Sequence, residues 1–430
     1  MYHRLPDTEV ILQNPHTKNR LTYKSTLYAC YLGYITQAIV VNLTPLFFVI
    51  FKDSFGLTNG QMGTVVLVLF AVQLAVDLAS VWFVDRVGYK RCAVTAHIFA
   101  GAGLILLGIL PRIMSNSYAG IMVSIVVSSV GAGLIEVLIS PIVDLLPAES
   151  KASAMSLLHA FYCWGQVAVV AISTLVLTVV GHGKWYILPI LWAIVPLGNS
   201  VFFKFVPIPD PVPEEESGGL GKLVLTKTFM LSAYLMLAAA MSEVSMSQWA
   251  SYFAERGLGI PKVMGDLLGP CLFAVCMGTG RTLYGIFGAK LKLARALTSC
   301  ALICTVGYLL ASLVPNPAVS LAGCALIGLG VSLMWPGTLS FASAAIPGGG
   351  TKLFSLLALS GDIGCSLGPW LTGIISDAAS SSGLADQMAG IFDIGVEQAA
   401  LKIGLLLIVV FPITAVIAVR LLSKHTKEQH

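Results

Sequence analysis

"GAGLIEVLISPIVDLLP", residues 131–147, is an apolar run of helical length that carries a carboxylic acid, Glu136, near its middle. A charged side chain at the centre of a bilayer costs about 2.5–3.5 kcal/mol on insertion scales, so an acid kept at that depth faces protein or a watery cavity rather than lipid. The whole chain sets the same problem. Of its 430 residues 57% are apolar and 11% charged, with a mean hydropathy of +0.86. That is far too apolar for a soluble globular domain. Twelve segments of spanning length can be read, at 24–52, 60–84, 92–111, 118–146, 153–180, 185–206, 228–254, 263–289, 293–314, 317–346, 352–378 and 398–422. The composition therefore predicts an all-α polytopic protein of the cell membrane.

The first 26 residues are polar and hold no short apolar core with a small-residue cleavage site, so no cleaved leader is expected. Counted over the tails and alternate loops, eighteen Lys and Arg fall on the side of the N-terminus and six on the other, with Arg281 inside a helix. The positive-inside rule then places both termini in the cytoplasm, which an even number of spans allows. The net charge of +4 is spread over these loops and forms no basic stripe interleaved with aromatics, so nucleic acid is excluded as a partner. The nine cysteines lie in or beside apolar segments without a CxxC pair, which suits packing better than metal binding or disulfides. HExxH, GxSxG and Cys/His ligand spacings are absent, and "PGGGTK" (347–352) lacks phosphate-loop spacing; neither enzymatic chemistry nor a metal or other cofactor is expected.

The polar break "PIPDPVPEEESGGLGKLVLTK", residues 207–227, is Pro-rich, then acidic, then Gly-rich, as a linker would be. It divides the chain into 1–206 and 228–430, six segments each. The halves echo one another: "SLLHAFYCWG" (156–165) and "SLLALSGDIG" (355–364) share S-L-L and a Gly nine residues after the Ser. "GAG" (131–133) and "GLG" (328–330) precede them at nearly the same interval.

Charges within the spans are unevenly placed. Asp77 lies in segment two, Glu136 in four, Glu243 in seven, Arg281 in eight and Asp362 in eleven, whereas three, six, nine and twelve have none in their middles and are the natural lipid-facing set. Gly133, Glu136, Ser140 and Asp144 share one helical face, as do Ser156, His159, Cys163 and Gln166, and Ser355, Asp362, Ser366 and Trp370. Three polar stripes converging on one space make a binding cavity. Two readings stay open for Glu136, a functional acid or a protonated one bonded to a neighbouring helix. They also stay open for His159, as ligand or packing residue. Glu243 lies nearly opposite Ser245, Gln248, Trp249 and Tyr252 and either lines the cavity or holds its helix against a neighbour. Trp164, Trp249 and Trp335 are candidates to stack on a sugar ring, or simply to pack. Asp77 and Arg281, toward the cytoplasmic ends of their segments, suit a gate.

The run "DRVGYKR", Asp85 to Arg91, resembles the loop signature of the major facilitator superfamily, with Val81 in place of the leading glycine. "NLTP" (42–45), "FGLTNGQMG" (55–63), "GLIEVLISPIVDLLPAES" (133–150), "SLLHAFYCWG", "GLGVSLMWPGTLS" (328–340) and "GDIGCSLGPWLTG" (361–373) are similar to its fucose:proton symporter branch. The resemblance covers about half the chain. It implies the major facilitator fold, twelve helices in two six-helix bundles, a central solute site that includes Asn42, and a cytoplasmic latch built from Asp85 with Arg86, Lys90 or Arg91. Glu136 falls on the branch's buried helix-four acid, which contributes to sugar binding and proton coupling. Pro45 stands where that branch has a helix-one aspartate. Coupling would then fall to Glu136, Asp362 or Glu243, or to sodium, or be absent.

The expected function is secondary transport of a small polar solute, a monosaccharide or polyol, by a monomer surrounded by lipid. The alternatives are an organic-ion or drug porter and a solute sensor that does not transport.

Overall fold

The computed structural model describes residues 21–146, 151–208, 224–287, 292–346 and 350–429, and within these every regular element is helical. Eleven helical stretches are long and apolar enough to span a membrane: α1 (Tyr23–Phe55), α2 (from Asn59, continuing helical to Val87), α3 (Tyr89–Ile113), α4 (Ser117–Leu145), α5 (Lys151–Val180), α6 (Ile187–Phe205), α7 (Lys227–Gly257), α8 (Lys262–Tyr284), α9 (Leu293–Leu313), α10 (Pro317–Ala345) and α12 (Val396–Lys424). α11 (Gly350–Ser381) is the twelfth. Its 32 residues are ample to span, but Asp362, Asp377 and its Gly and Ser residues dilute its apolar character. The expected twelve helices are present. The expected linker lies mostly outside the described residues.

Local sequence explains the helix boundaries. Thr58 caps α2 by accepting from the backbone N–H of Gln61, whose side chain accepts from the Thr58 N–H in return, a reciprocal capping box. Asn116 and Asn316 cap α4 and α10 through their side-chain oxygens. Pro45 removes a backbone donor and tightens α1 into a 3₁₀ turn at Thr44–Phe47 before it resumes at Phe48. Gly56, with φ +67°, ends that helix in the left-handed conformation.

Helices 3 and 4, and 9 and 10, pack through glycine, as close helix pairs in lipid do. A Cβ added at Gly103 would lie 2.3 Å from the Ser128 nitrogen, and one at Gly131 2.4 Å from the Ala100 nitrogen and the Ala96 oxygen. In the second half Gly323 and Gly330 press on Gly307 and Cys304 in the same way. The paired motifs at 131–133 and 328–330 do related work in reversed order: Gly131 meets α3 and Gly133 meets α2 at Gln73, while Gly328 meets α8 and Gly330 meets α9. Gly131→Val is expected to destabilise the protein by about 1–3 kcal/mol or more, because the obstacle is backbone and cannot rotate away. A lowered melting temperature in detergent is the check; an unchanged one would mean that α3 and α4 separate freely.

The helices expected to face lipid do expose apolar side chains, including Ile98 and Ile113 on α3, Ile194 and Phe205 on α6, Leu302 and Val306 on α9 and Ile413 and Ile417 on α12. Lys402, counted above among loop charges on the side away from the N-terminus, is instead 1% exposed. Its ammonium donates to the carbonyls of Ala311 (2.8 Å) and Val314 (2.9 Å) and to Ser320 Oγ (3.1 Å), closing the C-terminal end of α9 where the helix dipole favours a cation. Removing it from the loop count sharpens the charge asymmetry.

Candidate functional site

The central polar layer begins on α1 and α4. Gln37 Nε2 donates to Glu136 Oε2 at 3.1 Å, and one helical turn away Tyr34 Oη and Ser140 Oγ are 2.9 Å apart. Tyr34 sets its edge against the His159 ring, centroids 5.3 Å apart, and so joins α5 to the group. Asn42, 6% exposed, donates to the Ala38 carbonyl (3.0 Å) and to Tyr162 Oη (3.4 Å). Pro45 and the turn it forces lie just beyond Asn42.

Opposite these, α8 supplies the cation. The Arg281 guanidinium donates to Glu243 Oε2 (3.4 Å), Cys163 Sγ (3.3 Å) and the Ser332 carbonyl (3.2 Å), so one side chain ties α7, α10 and α5 together. Between the two groups, Asp77 of α2 and Asp362 of α11 are near neighbours, and Glu136 lies within electrostatic reach of both. Three acids thus gather within electrostatic reach of one another. Asp77 and Arg281, expected nearer a gate, stand in this layer. Several buried polar atoms of this region have no protein partner: Gln37 Oε1, both amide atoms of Gln73, Asp77 Oδ1 and Gln166 Nε2. Buried polar groups are satisfied in nearly all native structures, so these require water or a solute.

The tryptophans separate. Trp249 is fully buried, donates from Nε1 to the Pro369 carbonyl at 2.9 Å and packs on Phe48 and Tyr252. Its face is covered by protein, so it acts in packing and not in stacking on a solute. Trp164 is 52% exposed and shares a helical stripe with Ile172, Leu175 and Val179, all exposed and apolar. That stripe turns away from His159 and the interior, which corrects the expectation that Trp164 meets the solute. Trp335 rests on Gly361, where an added Cβ would lie 2.3 Å from its ring, beside Asp362. Of the latch, the Asp85 side chain lies outside the description, and Arg86, Lys90 and Arg91 are exposed at the α2–α3 turn.

A second group, at the end of the molecule away from the termini, was not anticipated. Asp53 and Arg256 form an ion pair there, and Lys52 Nζ lies 2.6 Å from Glu397 Oε1, which also accepts from Tyr252 Oη at 2.8 Å. Asp377 of α11 accepts from the backbone N–H groups of Asn59 (3.2 Å) and Gly60 (2.6 Å) at the start of α2. Thr174 donates to Asp266 Oδ2 at 2.9 Å, joining α5 to α8, and Lys262 pairs with the same buried acid at 2.6 Å. Apart from Tyr252–Glu397 and Lys262–Asp266, each of these bonds joins an element of the first half to one of the second. This end is therefore closed.

The family model of the Major Facilitator Superfamily matches residues 30–369. The chain belongs to the major facilitator superfamily. Its members and the solved structures it resembles are transporters, not enzymes, and it is an integral, multi-pass membrane protein. It is similar to the membrane protein MosC of Rhizobium meliloti, 23% identical over 362 residues that cover 82% of this chain and 83% of that one. Its fold is like that of a bacterial homologue of the human lysosomal transporter Spinster in an inward-facing, unoccupied conformation (TM-score 0.74, 15% identity, 96% and 99% of the two chains). It is also like that of the fucose:proton symporter FucP of E. coli (TM-score 0.60, 15% identity, 92% and 99%).

Proposed function

We propose that this superfamily member carries a small polyhydroxylated solute, a monosaccharide or polyol, across the cell membrane by alternating access of two bundles, 1–206 and 228–430, linked by 207–227. The observation that carries the reading is the central layer itself. Gln37, Gln73 and Gln166 present unpartnered amide donors and acceptors beside Glu136 and Asp77, and a sugar hydroxyl can both donate to a carboxylate and accept from an amide. Asn42, His159 and Trp335 border the same layer. With cytoplasmic termini, as the Lys/Arg asymmetry favours, the closed end faces outward and this is an inward-facing form.

Coupling follows from the acids. Two neighbouring carboxyls buried away from water are not readily ionised together, so a proton is shared between them, and Asp77 and Asp362 come from opposite bundles. A proton held there is sensitive to relative movement of the bundles, and Glu136 is placed to exchange it or to sense the solute. Glu243 is engaged by Arg281 and serves best as the partner that holds that guanidinium.

A second reading rests on the excess of acid: Asp77, Glu136 and Asp362 lie within electrostatic reach of one another while Arg281 is already paired with Glu243, which suits an organic cation. Uptake into proteoliposomes with competition decides between them. Inhibition by neutral monosaccharides and not by organic cations is the expected outcome; the reverse selects the cation. Binding of either without flux would make the chain a sensor.

A further inference from the structure

On the side of the molecule that carries the C-terminus, α9 and α12 enclose a cleft of about 560 Å³ unconnected with the central layer. Arg295, from the first turn of α9, and Arg420 and Lys424, from the last turns of α12, line it together with Ser423. The Ser423 hydroxyl is buried and has no protein partner. Among the described residues no acidic side chain lines the cleft, and three basic side chains converge on it beside the positive end of a 21-residue helix.

The two helices continue away from the cleft with matching patterns. On α9, Arg295 and Ser299 are followed at the same face by Leu302 and Val306, each 49% exposed. On α12, Lys424 and Arg420 are preceded at the same spacing by Ile417 and Ile413, 52% and 43% exposed. A basic cup at the end of the spans thus opens onto an exposed apolar strip at hydrocarbon depth. A phosphate with an acyl chain attached fits both parts, whereas a soluble phosphate uses only the cup.

We propose that the α9–α12 cleft seats the phosphate of an anionic glycerophospholipid through Arg295, Arg420, Lys424 and the Ser423 hydroxyl, with an acyl chain lying along Leu302, Val306, Ile413 and Ile417. The site is independent of the transported solute. The full-length protein in phosphatidylcholine nanodiscs is titrated with fluorescent phosphatidylglycerol and, separately, fluorescent phosphatidylcholine; glycerol 3-phosphate serves as the soluble competitor.

Wild-type protein is expected to prefer phosphatidylglycerol, with the preference falling about fivefold for each basic residue removed in Arg295→Gln, Arg420→Gln and the triple variant with Lys424→Gln. Millimolar glycerol 3-phosphate is expected to leave the bound lipid in place. Equal binding of the two lipids by wild type overturns the proposal, a measurement that needs no variant to fold. Full preference retained in a folded Arg295→Gln or Arg420→Gln protein overturns it as well. Displacement by glycerol 3-phosphate reassigns the cleft to soluble phosphates and overturns the lipid.

Discussion

Glu136→Gln is expected to abolish solute accumulation driven by a pH gradient while leaving counterflow close to wild type. The substitution keeps the shape of the side chain and an oxygen that can accept the 3.1 Å bond from Gln37, and it removes only the group that titrates. A gradient of one pH unit is worth about 1.4 kcal/mol, enough for roughly tenfold accumulation with one proton per solute. The expected accumulation ratio in the variant is therefore one, reached at a normal exchange rate. Asp362→Asn should behave alike if the proton moves between Glu136 and the Asp77–Asp362 pair. Retained accumulation in both single variants and in the double one would remove these two acids from coupling. Wild-type protein that exchanges solute but never accumulates it under a pH gradient would be a uniporter, or coupled to another ion such as sodium.

Arg281→Met is expected to destabilise the protein toward the lower end of the roughly 3–5 kcal/mol that removing one partner of a buried ion pair costs, since it leaves Glu243 without its cation. The lower end applies because the two side chains keep 22% and 15% of their exposure. Adding Glu243→Gln should restore much of the stability, as the second substitution removes the uncompensated charge. Transport should not return, because the guanidinium also holds Cys163 of α5 and the Ser332 carbonyl of α10. Thermal unfolding of the four proteins in one detergent forms a double-mutant cycle. A double variant no more stable than Arg281→Met would show that the arginine acts through those other contacts and not through Glu243.

Helix placement was legible in the sequence because the membrane imposes it. The apolar run 293–314 is helix Leu293–Leu313, and 317–346 is Pro317–Ala345; caps at Asn316 and breaks at proline supply the ends. The charged members of the central layer were legible for a related reason: an ionised group at that depth is costly enough to stand out against Leu and Val. Gln37 and Gln73 did not stand out, since an uncharged amide carries a smaller penalty and leaves little trace in hydropathy. A glutamine in mid-span, as in "YITQAIV" (34–40) or "FAVQLAV" (70–76), is the signal that finds them.

Which side chains meet was not legible. Asp77 and Asp362 lie on helices far apart in sequence, and only the crossing of α2 on α11, close enough that a Cβ at Gly63 would lie 3.1 Å from the Pro369 carbonyl, brings them together. Tryptophan misled for a similar reason. Its large apolar ring suits a sugar, a core or lipid alike, and the burial of Trp249 and the exposed stripe of Trp164 depend on helix rotation. The ion pairs at the closed end stayed hidden because Asp53, Arg256 and Glu397 sit at the ends of three separate helices, where isolated charges are ordinary.

The carboxylate of Asp377 at the start of α2 carries one more implication. It is a helix cap lent by the second half of the chain to the first: the first two free N–H groups of α2 belong to one half and their acceptor to the other. Under the proposed alternating access the two halves part at that end and those donors meet solvent rather than hydrocarbon, so the exchange is of one acceptor for another. A bond swapped for water changes stability by about 0.5–1.5 kcal/mol, somewhat more when one partner is charged. A seal assembled from such exchangeable bonds grips firmly enough to define a state, yet is weak enough for thermal motion to release within a transport cycle. A greasy plug of equal area would have to be hydrated outright. The number of wettable fasteners at the rim thus sets how readily that seal opens, a number that Asp377→Ala lowers without touching the central layer.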